Sequence, residues 1–256
     1  MNEENIEYLK KNLLNLGFAD KVNEEMEKLI KAKVQEFSLT TEQEYNKKKM
    51  DYTLHFKAGD QKDMYFFNRY EASLKNEADP TKDRTQTLFI NKGHGVTAKE
   101  AFNLLEGRSV EKKLYNAEGQ TYTAWLKLDF KEKDQYNNHK LQKFSEGYGY
   151  DLEKTLAKYP IKELNDNQQK QELLRSLRKG NAQQVTIEQD GRSHKYYLVA
   201  SPQYKTLNVY DSNMQTVKRE QLLKQEQGQA QERKQSRKNQ QEDQPKKQQS
   251  RKQKAH

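Results

Sequence analysis

Apolar residues at Ile6, Leu9, Leu13 and Leu16 recur at helical spacing, and Gly17 follows as a stop. A second stripe, Val22, Met26, Leu29, Ile30 and Val34, predicts a second helix with Asp20 as its cap. After Phe37 the period changes to two. Tyr52, Leu54 and Phe56 alternate with Asp51, Thr53 and His55, and the turn AGDQKD leads into a strand over 64–74. A charged loop, 75–84, precedes a strand over 85–90. Thr97 and Glu100 then form a T-x-x-E capping box, and the helix they open ends at Gly107. Strands over 110–115 and 121–130 flank the hairpin turn NAEG, and the polar stretch 134–140 reads as a loop. A short helix over 151–159 stops at Pro160, and a longer one over 166–179 is followed by Gly180.

The order helix, glycine, strand, acidic-glycine turn, strand occurs twice. Gly107 corresponds to Gly180 and Gly119 to Gly191, at offsets of 73 and 72 residues. Neither copy can cover its own apolar face, so two such units are expected to pack together or to share a sheet. In the first copy Ala124, Leu126 and Leu128 fall on one face of the strand, and Trp125, Lys127 and Asp129 on the other. Trp125 is the only tryptophan and sits on the polar side; the same shift places Tyr197 beside Lys195 in the second copy. Two readings follow. Either a helix covers that side and the two aromatics anchor it, or Trp125 and Tyr197 form a partner-binding surface.

Charge divides the chain. Residues 218–256 hold 12 Lys or Arg against 5 Asp or Glu, a net of +7 out of +9 for the whole chain, with 12 Gln. Leu222, Leu223, Ala230 and Ala255 are the apolar residues there, too few to offset the entropy of folding, so a disordered tail is expected. The doublets Arg233–Lys234, Arg237–Lys238, Lys246–Lys247 and Arg251–Lys252 would meet phosphates without folding, independently of sequence and sensitively to salt. An acidic protein or RNA would attract them as DNA would. With no cysteine, disulfides and thiolate metal sites are excluded. The acidic start MNEENIEYLKKN lacks the apolar run of a signal peptide, and no stretch approaches the ~20 apolar residues of a membrane span. A soluble, cytoplasmic protein without a membrane partner is expected.

Chemistry is harder to find. NKGHGVT, 91–97, lies between a strand and a capped helix, where backbone amides with Lys92 and His94 could hold an anion. It is only G-x-G, without the third glycine of a dinucleotide fingerprint or the Lys-Ser/Thr of a P-loop, and a tight turn explains it equally. His55, His94, His139, His194 and His256 lack metal-ligand spacing, and His194 falls on the apolar parity of its strand, as a core imidazole would. No serine lies in G-x-S-x-G. Catalytic residues, metals and cofactors are therefore assigned none.

The strings EAFNLLEGRSVEKKLYNAEGQTYTAWLKLDF (100–130), YGYDLEKTLAKYPIKEL (148–164) and PQYKTLNVYDSNMQ (202–215) carry a resemblance, as do NIEYLKKNLLNLGF (5–18) and DYTLHFKAGDQKDMYFFNRYEASLKNE (51–77). They resemble a repeat-containing family of bacterial proteins recorded as domains of unknown function. Such proteins are encoded on conjugative and other mobile elements of gut-dwelling Gram-negative bacteria, sometimes beside DNA-processing modules such as topoisomerases. The resemblance covers most of residues 1–217; beyond it the likeness is only in Gln- and Lys-rich composition. It implies a DNA-associated accessory role and supplies no catalytic motif.

The combined expectation is an α+β chain. An N-terminal helical pair and antiparallel strands fill 1–96, two helix-plus-β-hairpin repeat units fill 97–145 and 146–217, and a disordered basic C-terminal tail fills 218–256. The expected function is that of a non-enzymatic accessory or adaptor protein of a mobile element. Its tail would touch nucleic acid and its repeats would hold another protein of that element. The alternatives are an enzyme with a nucleotide site at Gly93–Thr97 and a purely protein-binding module.

Overall fold

The computed structural model describes residues 2–18, 20, 22–60, 63–189 and 191–223. It opens with α1 (Glu3–Leu16) and α2 (Asn23–Lys31). The Asn2 side chain accepts from the Asn5 amide at the start of α1, and Gly17 at φ 86° ends it, the left-handed stop expected. Asp20 does not cap α2 with its side chain. Its carbonyl accepts from the Asn23 amide, and Val22 is the cap residue.

Four strands follow, β1 (Glu36–Tyr45), β2 (Lys48–Ala58), β3 (Tyr65–Leu74) and β4 (Arg84–Phe89), in an antiparallel sheet of that same order. Both helices bury their apolar stripes on this sheet, as Leu9, Leu13 and Met26 meet Tyr52, Leu54, Phe67 and Tyr70. Phe18 sits at the hub. Its ring meets those of Tyr52 and Tyr70 edge-on at 5.3 and 5.0 Å, an arrangement the ring quadrupoles favour. Burial pushes both phenols up in pKa. Their hydroxyls donate to the Ala98 carbonyl at 2.9 Å and the Val96 carbonyl at 2.6 Å, fixing α3 (Ala98–Leu105) on the sheet.

After Gly107, at φ 83°, come β5 (Val110–Tyr115), β6 (Thr121–Lys133) and β7 (His139–Ser145), with β6 central. The polar stretch 134–140 thus holds a turn and then starts a strand. Strand β7 lacks a period-two signal because its apolar residues Leu141 and Phe144 are three apart and face different cores, among Lys140, Gln142 and Lys143. Strand β6 alternates as its spacing predicts, and both of its faces are covered. Leu126 and Leu128 belong to the core under α1–α3, and Trp125 to a second core.

That second core is built by α4 (Leu152–Leu156), α5 (Asn167–Arg178), β8 (Gln183–Gln189), β9 (Arg192–Ser201) and β10 (Thr206–Tyr210). The last three form an antiparallel sheet with β9 central. Asp166 caps α5 through a bond to the Gln169 amide, and Gly180 follows at φ 78°. Two expectations need correction here. His194 is exposed, because the outer half of the β8–β9 hairpin projects past the core and leaves Arg192 to Lys195 in solvent. Residues 218–223, assigned to the tail, are folded: Leu222 is 3% exposed in the second core, and the Gln221 carbonyl accepts from Gln189 Nε2 at 3.3 Å. Leu222, with Leu223 packed beside it on the second core, orders a segment whose composition argues otherwise. The fold is mixed α+β with three antiparallel sheets, and among the described residues no helix is long and apolar enough to cross a membrane.

Candidate functional site

The stretch 91–97 is a tight turn joined to a capped helix. Asn91 and His94 exchange backbone hydrogen bonds of 2.8 and 2.9 Å. Between them Lys92 and Gly93 lie at φ 49° and 77°, the two left-handed positions of a type I′ turn. Thr97 then accepts from the Glu100 amide while Glu100 Oε2 accepts from the Thr97 amide at 2.9 Å, the reciprocal capping box. The Glu100 carboxylate is buried and also accepts from Lys112 Nζ at 2.8 Å. The start of α3 therefore already holds a negative group. A nucleotide phosphate cradled at Gly93–Thr97 would oppose that carboxylate, which changes the meaning of the glycine motif.

Gly93 faces elsewhere. A Cβ at this position would lie 2.6 Å from Asn12 Oδ1 and 3.1 Å from the Tyr8 hydroxyl oxygen, so a side chain at this left-handed position would push both groups aside. Around this approach lies a cleft of about 610 Å³ between α1, the start of β3 and the turn. Helix α1 contributes Asn5, Tyr8 and Asn12, at the three- and four-residue steps that share one helix face. Asn5 is structural. Its Nδ2 donates to the Tyr65 carbonyl at 3.0 Å and its Oδ1 accepts from the Tyr65 amide at 2.9 Å, clamping α1 to β3.

Asn12 differs. It is 8% exposed and lines the cleft, with no clamp to β3 of the kind Asn5 makes. The opposite wall is shaped by an irregularity. The register of β3 on β2 passes from Arg69–His55 to Phe67–Phe56, so Asn68 is the extra residue of a β-bulge. Bulges re-aim side chains, and Asn68 lines this cleft together with Asn91. Tyr8 and Phe66 bring aromatic rings that are 47% and 43% exposed. Glu4 and Lys92 are the charged residues of the lining. The cleft combines amides that both donate and accept with aromatic faces and little net charge, which is the chemistry of binding a flat, neutral, polar group.

A second hollow of about 300 Å³ lies on the other side of the turn, where His94, Gly95 and β4 face Lys112, Leu114, Tyr122 and Lys143 of the β5–β7 sheet. The turn thus separates an amide-lined cleft from one bordered by cations.

The remaining expected site residues are scattered. Trp125 is 5% exposed and packs edge-on against Tyr150 at 5.5 Å, so the partner-surface expectation is corrected for this residue: its ring fills the second core. Tyr197 is half-buried, and its hydroxyl accepts from Gln184 Nε2 at 3.2 Å. Arg233, Lys234, Arg237, Lys238, Lys246, Lys247, Arg251 and Lys252 lie outside the described residues, as does His256. His55 Nε2 stands 3.2 Å from Glu71, whereas His139 is buried between β4 and β6, its ring edge-on to Phe130 at 4.8 Å. Desolvation, with Lys133 and Arg84 nearby, holds its imidazole below the ordinary pKa.

The amide cleft escapes sequence reasoning because its parts come from residues 2–12, 64–68 and 90–93. One signal was available: Asn5 and Asn12 flank the Ile6–Leu9–Leu13 stripe, where polar residues of a surface helix are not expected to be buried. Comparison of the chain with protein-family models, with curated proteins and with solved structures gave no match.

Proposed function

We propose that the chain is a non-enzymatic accessory or adaptor protein whose folded body holds a partner and whose basic segment makes weak, sequence-independent contact with nucleic acid. One observation carries the reading. The buried Leu222 anchors the chain to the second core just before Lys224–His256, where 10 Lys or Arg stand against 4 Asp or Glu. Cations tethered at a fixed point on a nearly uncharged body can follow a phosphate backbone while the body stays free for a second task.

In the same reading the stretches 97–145 and 146–217 are two copies of one unit. Each has a helix, a left-handed glycine (Gly107 or Gly180) and a three-stranded sheet whose second strand is central. The resemblance to proteins of conjugative and mobile elements adds the setting, in which the protein partner would be another product of that element.

The test compares the full chain with a 1–223 truncation that keeps both cores, by anisotropy of labelled duplex DNA. The full chain is expected to bind at micromolar or weaker Kd, roughly in the range of non-specific binding, with log K falling steeply against log salt. The truncation is expected to lose that binding. Equal binding by both, or a flat salt response, overturns the reading. Nuclease treatment before co-purification then separates partners held by the body from those held through nucleic acid.

A further inference from the structure

We propose that the amide-lined cleft between α1, the β3 bulge and the 91–94 turn receives a single unpaired nucleobase. The inference deepens the nucleic-acid reading above and rests on it for the source of the base. Three features of the cleft point the same way. Asn12 is 8% exposed and brings its amide to the lining of a space of about 610 Å³. The Asn68 bulge and the Asn91 turn position bring two more amides to the same space. Each amide offers a donor beside an acceptor, the arrangement that pairs with the edge of a base.

The half-exposed rings of Tyr8 and Phe66 supply the second requirement, a face on which a flat heterocycle can stack. Lys92, on the turn at the lip, is placed to meet a flanking phosphate. Gly93 lets the turn approach the side chains of Asn12 and Tyr8 closely at the entrance. Bases within a duplex hide their Watson–Crick edges and their faces, so a site that stacks a base selects an unpaired strand.

Two measurements on the full chain test this. In the first, adenosine, thymidine and methyl glucoside are titrated separately while side-chain amide resonances of Asn12, Asn68 and Asn91 are followed by NMR. A nucleoside is expected to shift them and the glucoside to leave them unmoved. Shifts with the glucoside instead assign the cleft to saccharides and overturn the proposal, as do resonances that move with neither. In the second, a 12-nucleotide single strand is compared with an abasic strand of equal length. The base-bearing strand is expected to bind about tenfold more tightly, the contribution of roughly one stacked base. Tyr8→Ala, a change at an exposed ring, is expected to bring the ratio to about one while leaving the salt slope intact. A ratio of one in the unmodified chain overturns the proposal. Failure of the basic segment would show differently, as a flat salt response with the nucleoside shifts retained.

Discussion

The two helix-and-sheet regions share a local script and differ in what surrounds them. In α3 every residue except Lys99 is buried, including Glu100 and Asn103, whereas α5 buries Leu173, Leu174 and Leu177 among its 12 residues. Strand β6 is covered on both faces over Ala124–Leu126, while β9 leaves Arg192–Lys195 in solvent. The cause is position. The first region contributes side chains to both cores, and the second region to the second core alone. Equivalent sequence signals therefore set where helices and strands begin, and neighbours decide how much each element buries.

Trp125 and Tyr197 give the largest test of that difference, since each lies six residues after a hairpin glycine, Gly119 or Gly191. Trp125→Ala removes a large ring from a closed core, and a loss of about 4 kcal/mol is expected from denaturant unfolding. Tyr197→Ala removes a half-buried ring, and a loss of about 1 kcal/mol or less is expected. The emission of Trp125 in the unmodified protein is expected to be blue-shifted and shielded from iodide. Similar losses for the two changes would remove the contrast.

The matching glycines come next. Both lie in the left-handed region, at φ 83° for Gly107 and 78° for Gly180, where a side chain is unfavourable by about 1–2 kcal/mol. At Gly107 a Cβ would meet Phe130 Cε2 at 3.4 Å, an ordinary contact. At Gly180 it would lie 2.8 Å from the Ser109 carbonyl oxygen and 2.9 Å from Val110 Cγ2, because here the end of α5 presses on the start of β5. Gly180→Ala is therefore expected to destabilise by about 3 kcal/mol and Gly107→Ala by about 1–2 kcal/mol. Equal effects would mean that the ends of the two units are not in close contact.

Much of this arrangement was legible, and the boundary of legibility is physical. The Thr97–Glu100 capping box, the stops at Gly17, Gly107 and Gly180, and the strand over Val110–Tyr115 all appear where local spacing places them. Each rests on interactions within a few residues. Signals that depend on distant chain segments were lost or inverted. His194 follows the apolar parity of β9 yet lies beyond the core, and parity says nothing about where a core ends. Leu222 stands among polar neighbours in the chain, and its burial depends on the distant residues of the second core. The amide cleft was illegible for the same reason. Asn12, Asn68 and Gly93 are unremarkable in their own contexts and become a site only when a bulge and a left-handed turn converge on α1.

Asn103 joins the two regions and supplies a smaller test. It is fully buried in α3, and its Nδ2 donates to the Lys179 carbonyl at 2.6 Å and to Asn181 Oδ1 at 3.0 Å. Its Oδ1 accepts from Arg108 at 2.7 Å, so one side chain satisfies the end of α5 and a guanidinium whose pKa burial lowers. Asn103→Ala leaves these partners unpaired, and a loss of about 1–3 kcal/mol is expected. Combined with Gly180→Ala, its effect is expected to be non-additive, because both changes disturb one junction. Additive losses would place the coupling between the regions elsewhere.

Acid separates the two sheets with the smallest effect, through a histidine that one third strand has and the other lacks. His139 in β7 is 7% exposed, and neither ring nitrogen has a hydrogen-bond partner among the described residues. Desolvation is the main cause of its lowered pKa, with the cations of Lys133 and Arg84 acting in the same direction. The unfolded chain, with an ordinary imidazole pKa near 6.5, therefore takes up a proton before the folded chain does. The stability from keeping this ring neutral is present above about pH 6.5 and declines as pH falls from there toward the lower folded value. Strand β10, Thr206–Tyr210, has no histidine. Hydrogen exchange at pH 7.5 and 5.5 is expected to show protection falling in β5–β7 ahead of β8–β10. His139→Phe, which keeps a ring against Phe130 and removes the titration, is expected to flatten that difference. Equal loss of protection in the two sheets would mean that the ring is protonated without disturbing the strand that holds it.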